Sequence, residues 1–211
     1  MVDLRRMAMF PLSSVLFPDA PLTLHVFEPR YRTMVEECLA GGREFGVVLI
    51  SRGSEVGGGE QRFAVGTVAR IVESARLADG RYALSTRGRQ RVAVHEWLPD
   101  EPYPQAAVVD LGPGAPAPAD LVERATAAVR RSRALLSELG QSPPLPTRPE
   151  GGVGAEPEVW GWRLCAQAPV SQLDRQRLLE AGDATDRLGL LTELADDVSL
   201  DVMRMLGEDR R

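Results

Sequence analysis

Lysine is absent from the 211 residues: all 25 basic side chains are arginine. That absence excludes a Walker-type phosphate site, a Ser-Lys peptidase dyad and any Schiff-base mechanism. Each needs a lysine amine, and the last two need one that can lose its proton. Asparagine is absent as well. Lysine and asparagine share A-rich codons, so a GC-rich genome accounts for both gaps, and the exclusion holds whatever its origin. Imidazole and thiol chemistry are nearly as sparse, with two histidines and two cysteines. His95–Glu96 begins an H-E-x-x-H string that position 99, a proline, ends. Neither C-x-x-C, G-x-S-x-G, G-x-G-x-x-G nor G-x-x-x-x-G-K-[ST] occurs. Cofactor and metal sites are therefore not expected, and His25 and His95 read as structural or surface residues. Long apolar runs are also missing. Pro11, Pro18 and Pro21 break up the N-terminal stretch, which carries no signal-peptide pattern, and no run approaches the roughly 18 apolar residues of a membrane span.

What is present describes an ordinary globular chain, 44% apolar and 26% charged. The net charge of −5 argues against nucleic acid as the main partner, and neither half of the chain is a basic module. Arg87, Arg89 and Arg91 alternate along one strand and read as a solvated sheet face, ahead of a phosphate stripe. Cys38 and Cys165 both fall in helical patterns, as buried thiols in a reducing compartment do, and a cytoplasmic location follows.

Residues 1–112 alternate short strands with one helix. PLSSVLF and LTLHVF read as strands. In EPRYRTMVEECLAGG the period changes, with Tyr31, Met34, Val35, Cys38 and Leu39 forming one apolar stripe. Pro29 suits the first helical turn and Gly41–Gly42 its end. FGVVLI, FAVGTVARIV, LADGRYAL, RVAVHEWL and QAAVVDL complete six or seven strands, with Asp79–Gly80 marking a hairpin between Leu77 and Tyr82. The glycine run Gly57–Gly59 lies between two strands, so it reads as a strand connection, not a phosphate cradle. From Pro113 the pattern turns helical. Val122, Ala125, Val129, Ser132, Leu136 and Leu139 form one seam, and Leu188, Leu191, Ala195, Val198, Val202 and Met205 another. Ser171 and Asp183 are placed to cap helices. Residues 140–157 are a Pro/Gly-rich loop whose P-x-x-P spacings read as linker. The fold class is thus α+β: an N-terminal β-rich barrel of about six strands and one helix, then a C-terminal helical bundle over 113–211.

No catalytic constellation can be assembled from these residues. The features that remain concern surfaces: Phe27, Tyr31, Met34 and Phe63 are large apolar groups near the helix and the loop before the next strand, and most of them read as core. If the helix lies across the barrel mouth, a groove at its edge suits an extended apolar chain. Glu28 and Arg30 suit a turn-fixing role between strand and helix, by pairing with neighbours.

The strings FPLSSVLFPDAPLTLHVFEPRYRTMVEECL, FGVVLI, EVGGGEQRFAVGTVARI and LADGRYALSTRGRQRV follow in an order that resembles the N-terminal, substrate-binding domain of the ATP-dependent Lon proteases, particularly stand-alone bacterial proteins built around it. The resemblance implies a pseudo-barrel followed by helices, and recognition of unfolded or exposed apolar polypeptide. In Lon itself that domain delivers substrate to two engines, an ATPase ring and a Ser-Lys peptidase. This chain departs from Lon in being expected to lack both, in keeping with the missing lysine. Asp19 and Ala78 depart from the residues frequent in relatives, both in loops. The reading that follows is a non-catalytic polypeptide-binding module, an adaptor or holdase working with a protease or chaperone. It would be a monomer or weak homodimer, with Phe27, Tyr31 and Phe63 as candidate peptide contacts and neither nucleic acid nor membrane as partner. Two alternatives stay open: a dedicated protein-interaction or dimerisation module, and a small hydrolase using carboxylates clustered by folding.

Overall fold

The computed structural model describes residues 3–52, 61–140 and 157–208. Gly57–Gly59 and all but the ends of the proline-rich segment lie outside the described residues. The chain divides into two compact units, Met1–Gly112 and Pro113–Arg211.

The first unit holds strands β1 (Arg5–Leu12), β2 (Pro21–Val26), β3 (Glu44–Arg52), β4 (Gln61–Arg76), β5 (Tyr82–Leu98) and β6 (Gln105–Leu111), with helix α1 (Pro29–Ala40) between β2 and β3. The neighbours along the sheet are β2, β5, β4, β3, β1 and β6, and β6 returns to pair with β5. β5 makes this closure possible because it is long enough to serve two partners on one edge. Its first half, Tyr82–Arg87, pairs with β2, and its second half, Arg91–Leu98, pairs with β6. Five strands therefore close a ring, all antiparallel except for the β1–β3 pair. β2 is the additional strand, joined to the ring through β5.

Apolar alternation fills the ring from inside. Met7, Met9, Val48, Val68, Val92, Ala106 and Val108 form one buried cluster, with Val94 and Trp97 at its margin. A second cluster joins Phe10, Leu12, Leu24, Val26, Phe45, Ile71, Tyr82 and Leu84 to Tyr31, Met34, Val35 and Cys38 of α1. α1 thus packs by the stripe its periodicity marks out, begins at Pro29 and ends against Gly41, whose N–H donates to Cys38 C=O at 3.2 Å.

The observed strand β1 lies earlier than the PLSSVLF reading places it, over RRMAMFPL. Arg5 and Arg6 are held in that strand by β6 side chains, Arg5 Nη2 by Asp110 at 2.7 Å and Arg6 Nε by Gln105 at 2.6 Å. The chain then leaves the sheet as a loop pinned from below. Buried Thr67 donates its hydroxyl to Leu16 C=O at 2.6 Å, and Gly88 C=O accepts from Asp19 N–H at 3.0 Å. The end of LADGRYAL from Tyr82 and the whole of RVAVHEWL, read as separate strands, are parts of the single 17-residue β5. Arg87 and Arg89 are exposed, as the sheet-face reading has them. Arg91 is buried at 5% exposure, because β5 enters the closed ring there, opposite Leu111.

The second unit is helical: α2 (Ala119–Glu138), α3 (Pro157–Gln167), α4 (Gln172–Glu180) and α5 (Ala184–Glu208). Ser171 Oγ accepts from Asp174 N–H at 3.1 Å, and Asp183 Oδ1 from Asp186 N–H at 2.9 Å, so both capping residues do what their positions suggest. The two seams meet: Val122, Ala125, Val129 and Ser132 are buried, as are Leu188, Leu191, Ala195 and Val202. Arg131 of α2 is paired with Asp196 of α5. Met205 departs from its seam and is 56% exposed.

Candidate polypeptide-binding surface

The three candidate contacts occupy three different environments. Phe27 follows β2 and is 53% exposed. Tyr31, by contrast, belongs to the core at 1% exposure. Its place on the α1 stripe with Met34 and Val35 turns it inward, where its ring centroid lies 4.2 Å from that of Phe10. In this conformation it supports the surface and does not form it. Phe63, near the start of β4, is half-buried.

Register decides which of them can act together. Val26 faces Tyr82 on β5, and Tyr82 faces Arg76 at the far end of the 16-residue β4, so nearly the length of that strand separates Phe27 from Phe63. At 3.3 Å per residue this is a strand path of roughly 40 Å, too long for one short groove. Leu77, 38% exposed, follows Arg76 and lies at the same sheet end as Phe27. Phe27 and Leu77 each lie one residue past a position facing Tyr82, so they flank β5 at the same sheet end. The sequence carried a hint of this: an apolar residue just before the Asp79–Gly80 turn has no strand beyond it to cover it. Phe63 sits instead beside Arg62, whose guanidinium is 4.7 Å from the Trp97 ring centroid and is clamped by Asp100 at 2.5 Å.

Polar side chains fix α1 beneath the Phe27 end. Arg30 Nε donates to Glu28 Oε2 at 3.1 Å while its guanidinium stacks 4.5 Å from the Tyr31 ring centroid, the turn-fixing role expected of this pair. Tyr82 donates its hydroxyl to Glu36 Oε1 at 3.1 Å, and Tyr103 donates to Glu37. Adjacent glutamates on one helix thus accept phenols from β5 and from the β5–β6 connection. Burial, and then the bond to Glu37, push the Tyr103 phenol up to about 12. The folded state therefore keeps the proton where the unfolded chain releases it at about 10. The stability this contributes is complete below pH 10 and is lost as pH rises from about 10 to 12. In Tyr103→Phe, chemical denaturation over a series of alkaline pH values should show a shallower loss across that window than in the parent.

Among the described residues no group of three or more His, Cys, Asp or Glu is placed to hold a metal ion. Asp79 is held below the usual carboxylate range, first by the backbone N–H of Arg81, which marks a turn-forming anion and not a poised acid. Burial pushes the Cys38 thiol up to about 11 and the Cys165 thiol up to about 12, so neither is a ready nucleophile. No described helix is long and apolar enough to cross a membrane.

Comparison with known proteins agrees with this architecture. The Lon protease of Cytophaga hutchinsonii is 29% identical over 187 residues, covering 86% of this chain and 23% of that protein. Lon protease 2 of Sorangium cellulosum is 29% identical over 203 residues, covering 93% of this chain and 25% of that protein. The chain thus spans about a quarter of the length of these relatives. Among solved structures, the Lon N-terminal domain protein from Xanthomonas campestris superposes with a TM-score of 0.65 at 29% identity, covering 89% of this chain and 96% of that one. The N-terminal domain of Mycobacterium avium complex Lon protease, at 15% identity and a TM-score of 0.61, shares the fold. The family described as the ATP-dependent protease La (LON) substrate-binding domain matches residues 6–197. This chain belongs to that family.

Proposed function

We propose that the chain is a non-catalytic polypeptide-binding module that recognises unfolded or exposed apolar segments, acting in the cytoplasm as an adaptor or holdase for a protease or chaperone. The observation that carries this reading is the match to a substrate-binding family across residues 6–197, in a chain without the lysine that either Lon engine needs. Phe27 and Leu77 supply one apolar contact patch and Phe63 a second, with Tyr31 supporting the first from within the core. A patch burying a few hundred Å² at ~25 cal/mol/Å² gains several kcal/mol, much of it offset by ordering the client, so binding is weak, in the micromolar range.

The test is a fluorescence-anisotropy titration against a labelled, permanently unfolded polypeptide, with its folded form as control. Saturation at micromolar concentration by the unfolded form alone is expected. Absence of binding at high micromolar concentration overturns the reading. A second reading, self-association through the helical unit, draws on Leu200 and Met203, 49% and 47% exposed at adjacent turns of α5. Light scattering that gives a monomer mass across a concentration series removes it.

A further inference from the structure

We infer that the client is held by main-chain pairing: an extended, proline-free segment adds as a strand to the outer edge of β2, with one of its apolar side chains against Phe27. The inference rests on the polypeptide-binding reading above and names its chemistry. β2 ends the sheet order, with β5 as its strand partner. Which of its backbone groups face outward follows from parity. Gly88 N–H donates to Ala20 C=O at 2.9 Å, and from there Leu22, Leu24 and Val26 follow at two-residue steps opposite Thr86, Leu84 and Tyr82. In an antiparallel pair those residues turn N–H and C=O toward the partner strand, and the residues between them turn theirs away.

Pro21, Thr23 and His25 are therefore the edge-facing residues of β2. Pro21 supports this assignment independently, since a residue with no N–H is tolerated only where no ladder bond is required of it. All three are exposed, and the remaining edge groups are the C=O of Pro21 and both backbone groups of Thr23 and His25. These recur every second residue, about 6.6 Å apart, a spacing that an extended chain reproduces. The side chains set the client's character. Leu22 is partly buried against the core and Phe27 continues the outward alternation of Thr23 and His25, so each face of an added strand meets an apolar group.

A second copy of β2 is the poorer occupant. Paired antiparallel about Thr23, it would bring Pro21 of each copy opposite His25 of the other, with a missing donor at both ends. Two chains of net charge −5 also repel.

The decisive variant is Thr23→Pro. It deletes an edge-facing donor and leaves the β2–β5 ladder whole, so it should melt close to the parent and bind the unfolded polypeptide at least tenfold more weakly. A companion titration uses a short labelled apolar peptide and the same peptide N-methylated throughout, which keeps the side chains and removes the main-chain donors. At least tenfold weaker binding of the methylated form is expected. Equal binding of the two peptides overturns the inference, as does undiminished binding by a folded Thr23→Pro. If that variant does not fold, the peptide pair decides alone. A parent protein that binds neither the polypeptide nor the peptide brings down the functional reading itself, which keeps the two failures distinct. A dimer whose population rises with concentration in the parent and vanishes in Thr23→Pro assigns the edge to a second copy and also overturns the inference.

Discussion

Gly88→Ala should cost the β-rich unit about 3 kcal/mol or more, the upper end of what overfilling a packed site costs. A Cβ at Gly88 would lie 2.1 Å from Phe17 O, 3.0 Å from Phe17 C and 3.3 Å from Pro18 Cα. All three are backbone atoms, so no side-chain rotation relieves the contact. The loop cannot retreat cheaply either. Gly88 bonds on one side to Asp19 N–H and on the other to Ala20 C=O, and Thr67 holds Leu16 C=O from within the sheet. Gly66 repeats the arrangement: a Cβ added there would lie 2.2 Å from Val47 O and 2.7 Å from Val48 Cγ1. Urea unfolding followed by circular dichroism measures both variants. Gly112→Ala is the control, because a Cβ there meets nothing within 4 Å, and it should stay within a few tenths of a kcal/mol of the parent. Parent-like stability of Gly88→Ala would mean that the Leu16–Pro18 loop does not rest on β5 as described.

These glycines show where the sequence was legible and where it was not. Helices announce themselves locally: the apolar stripe of α1, Pro29 before it and Gly41 after it, and the capping residues Ser171 and Asp183 are all features of adjacent positions. The Asp79–Gly80 hairpin is local too, and Gly80 adopts the positive φ of 80° that the turn requires. Closure of the ring is not local. It depends on β5 dividing one edge between β2 and β6, and nothing in STRGRQRV marks the point of division. The separation of Phe27 from Phe63 follows from that same register, which is why two aromatics expected in one groove lie far apart along β4. Tyr31 illustrates a different limit. A stripe states which helix face is apolar, and only the fold states that the core covers that whole face. Pro21 was legible in principle, since a proline opening a strand signals an edge.

Trp162→Ala carries the other large expected effect, in the helical unit. Trp162 of α3 is 4% exposed, and the guanidinium of Arg187 on α5 sits 3.6 Å from its ring centroid, with Arg187 itself at 0% exposure. No pattern in the sequence announced a buried arginine in that seam. An indole deleted from a core costs about 3–5 kcal/mol through lost burial and the cavity left behind. Here the cavity would face a cation that has lost an aromatic partner, and desolvated cation–π contacts reach about 2 kcal/mol. Removing a group that supports a buried charge is the costly change, whereas replacing the charge as well with an apolar group is often neutral. Trp162→Ala should therefore lose about 4 kcal/mol or more in urea unfolding, and Trp162→Phe, which keeps an aromatic face, clearly less. Arg187→Met with Trp162→Ala completes a double-mutant cycle. If the charge is what the ring supports, the double variant is more stable than the sum of the single losses predicts. Strict additivity would instead assign the whole loss at Trp162 to packing and leave the cation–π contact without energetic weight.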